Sequence, residues 1–559
     1  MKWNRIYKNM ILGLMTLTAI ALFIVLYSDW ERRTRGKGLT EDRNIYTQDN
    51  NIYDVYISIF PTENDAGDMI DLSAFSLHTS GNKDYNPVLD CNIQILKEGE
   101  TPDVEGDMDS KNATIRVRGD STRGDKYKNY KVKLENNAEP FFGQINLNIN
   151  KETQDVTKIA TKLQTDLLAD IDNIFSYRTY FMRVWIRDAS LPKEEQKFQY
   201  QGLYTEIEQP NKDYLKARGI GKNTVMYKAN NFAFAFSDVL RNTDDPMYDE
   251  DAFETVLGIQ AGRDHKKLME MLTAVNDMTL DFQETFQTYF DEENYLTWLA
   301  FNLLMGNEDI VSHNYLFFSS GNSKTWYFVP WDFDGALYFK QFVDTKQHPL
   351  SLKSIQGLNV SILHRRYLQM DGSIEKLQKK MEELLAKWIT GKRVAELVAP
   401  YRNVLEKTLS IPPDDGLAYM PLEELNLYLD HLHEGMINCY ELYKENILYP
   451  IPVFVAQPER QEGGSLKFAW DPSYSYQGLP VTYKIEVYDD ARKEPVFEQE
   501  NIEDTSWVLQ EGLEPGTYFI QVSVMDSEGH KQTNLERFYG KMADGSMAEV
   551  HGWMEFVID

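Results

Sequence analysis

A chain of 559 residues is too long for one hydrophobic core, so two or three domains are expected. Its net charge of −29 repels nucleic acid and anionic lipid surfaces, which excludes a nucleic-acid reader. Two cysteines, Cys91 and Cys439, lie 348 positions apart and outside any CxxC pair; this argues against a zinc or thioredoxin-like site and leaves a disulfide and buried free thiols both open.

Asn9 to Ser28 carries no charge, and Met10 to Tyr27 is almost wholly apolar. Twenty helical residues span about 30 Å, the thickness of a bilayer core, so an uncleaved transmembrane anchor is expected. A cleavable signal peptide is the rival reading, but no clean Ala-x-Ala site follows the run. Seven Lys/Arg against Asp29 and Glu31 give the first 37 residues a charge of +5, which leaves −34 on the remainder. Three of these cations precede the run and four follow it. The orientation adopted is a basic tail inside and a large domain outside the cell membrane. Residues 29–50 are polar and read as a juxtamembrane linker.

From Asn51 the pattern alternates. Val55, Ile57 and Ile59 share one face of a strand, and strand-like runs follow at Asn92–Leu96, Ala113–Val117 and Tyr130–Leu134. Leu163, Leu167 and Leu168 predict a helix over Thr157–Ile171, followed by strands at Arg178–Ile186 and Gly202–Ile207. Helical spacing then dominates: Asp264–Ala274, Asp291–Met305, Ile374–Trp388, Arg393–Leu409 and Leu422–Ile447. A β-rich half and a helical half make residues 51–450 a two-lobed unit. Past the stiff Tyr449-Pro450-Ile451-Pro452, residues 451–559 read as an all-β sandwich, with strands such as Val481–Tyr488. An early Trp470 and the late Leu513-Glu514-Pro515-Gly516-Thr517-Tyr518 resemble a fibronectin type III-like module. The fold class is therefore α+β, with an N-terminal transmembrane helix and a C-terminal sandwich.

The chemistry concentrates in Gly306–Phe318 (GNEDIVSHNYLFF) and Val329–Gly335 (VPWDFDG). Asn314 follows Asp309 by five positions, the Asp-x-x-x-x-Asn offset of a kinase catalytic loop. Asp332 comes 23 residues after Asp309 and opens Asp-Phe-Asp-Gly, a lengthened form of the kinase Asp-Phe-Gly. Phosphoryl transfer needs one carboxylate at the acceptor hydroxyl and oxygen ligands for Mg²⁺. Asp309 fits the first role; Asn314, Asp332 and Asp334 fit the second. Each has a plainer competing reading as a turn or loop-bracing residue. The runs Tyr315–Phe318 and Trp326–Val329 would bring these side chains to one end of a hairpin. There is no GxGxxG and no Walker motif, so the candidate phosphate clamp is Arg116–Gly124, with Arg118 and Ser121. Lys131 on its strand could reach phosphates, with Lys128 and Lys133 as competitors. Glu206 and Glu208 could lie beside the adenine or face solvent.

Several segments resemble the CotH (spore-coat H) kinase-like family. Arg118-Gly119-Asp120-Ser121-Thr122 with Lys128–Leu134 is similar to its Arg-Gly-Asn-Ser … Lys-x-Tyr-x-Ile-Lys segment, with Asp120 where Asn is usual. Gly202-Leu203-Tyr204 with Glu208 and Leu215, Asn302–Asp309, His313-Asn314-Tyr315 and Trp331-Asp332-Phe333-Asp334 match further stretches. The resemblance spans roughly residues 50–450. It implies an atypical protein kinase using ATP and Mg²⁺ on Ser/Thr acceptors of a protein partner, in a bacterial envelope or spore-coat setting. Asp309 would be the catalytic aspartate and Asp332 the metal-binding one. A non-catalytic surface binding protein and a metal-dependent hydrolase are the alternatives.

Overall fold

The computed structural model describes residues 39, 41–46, 49–79, 82, 84–103, 109–221, 223–307, 310–321, 323–339, 354–489, 494–510, 512–541 and 547–558. The apolar run at 9–28 lies outside them. Among the described residues no helix is long and apolar enough to cross a membrane.

Seven strands of the first half form a closed barrel: β1 (Ile52–Ile59), β2 (Leu89–Lys97), β3 (Ala113–Arg118), β4 (Asn129–Leu134), β5 (Asn146–Asn150), β6 (Thr179–Asp188) and β7 (Gln199–Glu208). The order around it is β1-β2-β3-β4-β5-β7-β6, and β1 closes the ring by pairing in parallel with β6. Strict alternation explains the inside. Val55, Ile57, Ile115, Val132 and Leu147 are fully buried in one barrel core, while Thr114, Arg116 and Arg118 alternate with them on the outer face of β3. A β-rich half was the expectation; its closure into a barrel adds a strand pairing between residues 129 positions apart, such as Val55 with Val184.

The outer faces of β6 and β7 bury Phe181, Leu203 and Ile207 against α1 (Ala160–Asp170) and the second half. That half holds α2 (Glu292–Met305) and a four-stranded sheet of β8 (Val225–Ala229), β9 (Leu257–Ala261), β10 (Tyr315–Ser319) and β11 (Tyr327–Pro330), ordered β9-β8-β10-β11. It also contains helices α3 (Ser373–Lys387), α4 (Gly391–Thr408), α5 (Leu422–Asp430) and α6 (Leu432–Asn446), beside others such as Lys266–Asn276 and Phe282–Tyr289. The expected single helix over Leu422–Ile447 is thus two, broken at His431, whose backbone leaves helical geometry. Helix α1 starts later than the apolar spacing suggests, because Asp155 accepts from the Thr157 and Ala160 amides and ends the preceding loop there. Cys91 and Cys439 are both buried, and no disulfide joins them.

Beyond residue 452 a three-stranded and a five-stranded antiparallel sheet share a core of Val453, Phe468, Trp470, Ile485, Val522 and Phe556 among others. Arg365 holds this unit to the helical half through Asp471 at 2.9 Å and the Pro472 carbonyl at 2.8 Å.

Candidate functional site

Strands β10 and β11 pair antiparallel with Tyr315 opposite Pro330. Asn314 immediately precedes this pair and Asp332 follows it by two positions, so the two residues sit at the same end of one hairpin. Both residues are left-handed, at φ 58° and 62°. Asn and Asp tolerate that region better than other side-bearing residues, and such backbone clusters at functional sites. Flanking aromatics hold the turn: Trp331 and Phe333 are buried with ring centroids 5.2 and 6.3 Å from Tyr177. Gln164 on α1 donates to the Phe333 carbonyl at 3.1 Å, tying the barrel-side helix to the Asp332–Asp334 loop. Asp309 lies outside the described residues. Its neighbour Asn307 is buried and anchored to α2 through Asn302, its amide 3.0 Å from the Asn302 carbonyl.

The barrel supplies the opposite wall. Arg118, at the end of β3, stands in the electrostatic field of Asp332, Glu152 and Asp334. Burial depresses its guanidinium and those carboxylates oppose the effect. Its Nη1 donates to Asn150 Oδ1. Lys131 pairs in register with Arg116 across the β3–β4 ladder. Burial first, then the like charges of Arg116 and Arg118, lowers its ammonium to about 8. Among the described residues neither Lys131 nor Arg116 has a carboxylate partner. Arg116, Arg118 and Lys131 therefore share one outer face, and Arg118 among them stands in the field of Asp332 and Asp334.

Two candidate nucleotide-site residues, Lys128 for phosphate and Glu208 beside the adenine, are engaged elsewhere. Lys128 is buried, and its Nζ donates to the carbonyls of His78 at 3.2 Å and Arg123 at 2.6 Å, bracing the turn after Gly119. Glu208 is buried between Arg178 and Arg218, with the Arg218 ion pair at 2.8 Å. Burial works against its charge, but Arg218 and then Arg178 hold its carboxyl below the usual range. It serves an internal ion-pair network and faces neither solvent nor the cleft cations. Ser121 is exposed on the short 3-10 turn Ser121–Gly124. Gly119 ahead of it needs φ 90°, and a Cβ there would overlap the Thr122 hydroxyl, which accounts for glycine at this point of the motif.

Sequence reasoning missed the connection between β5 and α1. Glu152, Asp155 and Lys158 are buried there, and they interact electrostatically with Asp332, Asp334 and Arg118. Burial and then Asp155 push Glu152 up to about 7, with Asp332 adding to the rise and Thr161 and Arg118 opposing it. Asp334 is pushed up to about 9 by burial and then by Asp332, Glu152 and Asp155. The available signal was four charged residues, Lys151, Glu152, Asp155 and Lys158, packed into eight positions directly before an apolar helix.

This donor set fits a divalent cation chemically. Crowded carboxylates that retain protons are relieved by a hard cation taking oxygen ligands. Among the described residues no three His, Cys, Asp or Glu side chains form a ready-made metal cage. Mg²⁺ seldom uses one, since it keeps waters and substrate phosphates as ligands beside one or two carboxylates.

The family model described as CotH kinase protein matches residues 115–416, more than half of the chain. Inner spore coat protein H of Bacillus subtilis (strain 168) is 25% identical over 226 residues, which cover 40% of this chain and 58% of that protein. The crystal structure of a Helicobacter pylori proinflammatory kinase, CtkA, aligns over 57% of this chain and 94% of its own at 10% identity. Its TM-score is 0.25, too low to infer shared geometry.

Proposed function

The chain belongs to the CotH kinase protein family, and from that premise we propose that it transfers the γ-phosphate of Mg-ATP to Ser/Thr hydroxyls of a protein at the cell envelope. The observation that carries this reading is the Tyr315–Pro330 pairing, which sets Asn314 and Asp332 at one hairpin end within the field of Arg118. Mg-ATP, when bound, supplies the transferable phosphoryl group and neutralises charge on its oxygens. Asp332, Asp334 and the Asn314 amide oxygen are the metal donors in this reading. Arg116, Arg118 and Lys131 attract the polyphosphate and fix its position. Asp309 orients the acceptor hydroxyl and takes its proton as the acceptor oxygen bonds to phosphorus and the bond to ADP breaks. The apolar run at 9–28 anchors the chain in the membrane, and the C-terminal sandwich presents a protein partner.

The test uses the full chain with γ-labelled ATP, Mg²⁺ and generic protein acceptors. Label should enter protein, and Asp309→Ala should abolish it. Label released only as inorganic phosphate would favour a hydrolase, and equal labelling by Asp309→Ala would overturn the assignment.

Lys131 adds a pH signature. Its ammonium deprotonates as pH rises through about 8, so the site loses one phosphate-binding charge above that value. Nucleotide affinity should fall roughly tenfold between pH 7 and pH 9, the worth of one charge-assisted hydrogen bond. Lys131→Met should bind weakly at both pH values and lose the part of the drop that Lys131 supplies, leaving only what Glu152 and Asp334 contribute. Calorimetric titration with a non-hydrolysable Mg-ATP analogue measures both.

A further inference from the structure

The connection carrying Glu152 and Lys158 is held by an ion pair that crosses the molecule. The ladder between β6 and β7 slips one residue between Val184 and Trp185, leaving Gln201 as an extra residue beside Gly202. That bulge releases two backbone groups. The Gln201 carbonyl accepts from Lys151 Nζ at 2.7 Å, and the Leu203 amide donates to Asp414 Oδ2 at 2.7 Å. Lys151 and Asp414 then meet at 2.6 Å, both almost fully buried. Gly202 sits beneath them at φ 98°, and a Cβ there would overlap both the ammonium and the carboxylate. Glycine at this position is thus required by the pair as well as by the backbone.

The next residue after Lys151 is Glu152, in the field of Asp332 and Arg118. Its carbonyl accepts from Lys158 Nζ at 2.9 Å, and its Oε1 accepts from Thr161 on α1 at 3.1 Å. Glu152 and Lys158 are both left-handed, at φ 52° and 60°, a conformation that persists only when its surroundings enforce it. Asp414 follows α4 in sequence, and α4 is itself tied to α1 by Arg393 and Asp170 at 2.7 Å. We infer that the Lys151–Asp414 pair, seated on the Gly202 bulge, is a latch that fixes residues 151–158 in the cleft and so positions Arg118 against Asp332. Lys151, Asp414 and Gly202 are positioning residues; none faces the transferred group. The inference rests on the proposed kinase reading for its effect on turnover, but the latch itself is testable without nucleotide.

Full-length Gly202→Ala, Lys151→Met, Asp414→Asn and the double variant Lys151→Met/Asp414→Asn form the test. Gly202→Ala keeps both charges and disrupts their seat, through the Cβ overlap and the strained backbone of the bulge. The double variant removes both charges together, which avoids stranding one in the interior. Backbone amide exchange at residues 151–158 of the nucleotide-free protein should rise about tenfold in every variant. KM for ATP should rise about tenfold, with a smaller change in kcat. The double variant should be no worse than the poorer single, since all disable one device. Melting temperatures that fall while exchange at 151–158 and KM stay at parental values would reduce the pair to structural glue and overturn the latch. If the parent neither binds nor turns over ATP, the kinase reading fails while the exchange measurement still decides the latch.

Discussion

Asp332→Asn should lower phosphate transfer by on the order of 10³-fold and at the same time make the protein harder to melt. The loss follows from removing the negative charge that the proposed reaction needs at its metal. The gain follows from the crowding around it. Asp334 retains its proton to about 9 because burial, Asp332, Glu152 and Asp155 all disfavour its anion, and Asp332 also raises Glu152. Deleting one of these like charges relieves the others, by about 1.4 kcal/mol for each pKa unit recovered. Asn accepts the left-handed backbone that Asp332 occupies at φ 62°, so the turn between Trp331 and Phe333 survives. Alanine would add strain and obscure the gain. Initial rates with labelled ATP and calorimetric melting of the same preparation measure the two effects. A variant within tenfold of the parental rate would remove Asp332 from the reaction.

The second large effect lies inside the barrel. Glu206 is fully buried; its Oε2 accepts from Gln144 at 3.4 Å, and its Oε1 has no partner. Burial first, then Glu208, pushes its carboxyl well above the ordinary carboxylate range, with Gln144 and Arg178 opposing. A carboxyl whose folded value exceeds its unfolded one holds a proton that the unfolded chain has lost. Stability is therefore highest below the unfolded value near 4.5 and falls by about 1.4 kcal/mol per pH unit above it until the folded group also ionises. Glu206→Gln abolishes that slope. The new amide can also donate to Gln144 Oε1, which is itself buried without a partner. The variant should gain about 2–4 kcal/mol at neutral pH and match the parent near pH 4.5. Urea unfolding at pH 4.5, 6 and 7.5 tests this, and parallel pH profiles for parent and variant would contradict it.

Local features were legible and distant ones were not. The Asn314–Asp332 relation could be read because a tight antiparallel hairpin fixes both ends within a few residues of the motifs. The strand alternation at Val55, Ile57 and Ile59 likewise identified a buried face. Lys128 and Glu208 were read as ligands because no local spacing pattern marks their partners, whether near (Arg123, Arg218) or far (His78). His78 lies 50 positions from Lys128, and nothing in the spacing marks Arg218 as the partner of Glu208. Glu152 and Lys158 escaped notice for the same reason, as the shape of their loop depends on Asp414, 263 positions from Lys151. Barrel closure rests on one parallel pairing between β1 and β6, which no local pattern announces.

The contact at Arg365 has neighbours. Asn359 Nδ2 donates to the Tyr476 hydroxyl at 2.8 Å, and Gln477 Nε2 donates to the Ile447 carbonyl at 3.1 Å. Tyr476, from the sandwich, packs against the hydrophobic core of the helical half. Trimming the chain at the prolines would consequently strip an apolar lid from that half and strand polar groups that now bond across the seam. The C-terminal unit is a keystone for its neighbour, and any partner gripping it would also grip the helices behind the cleft.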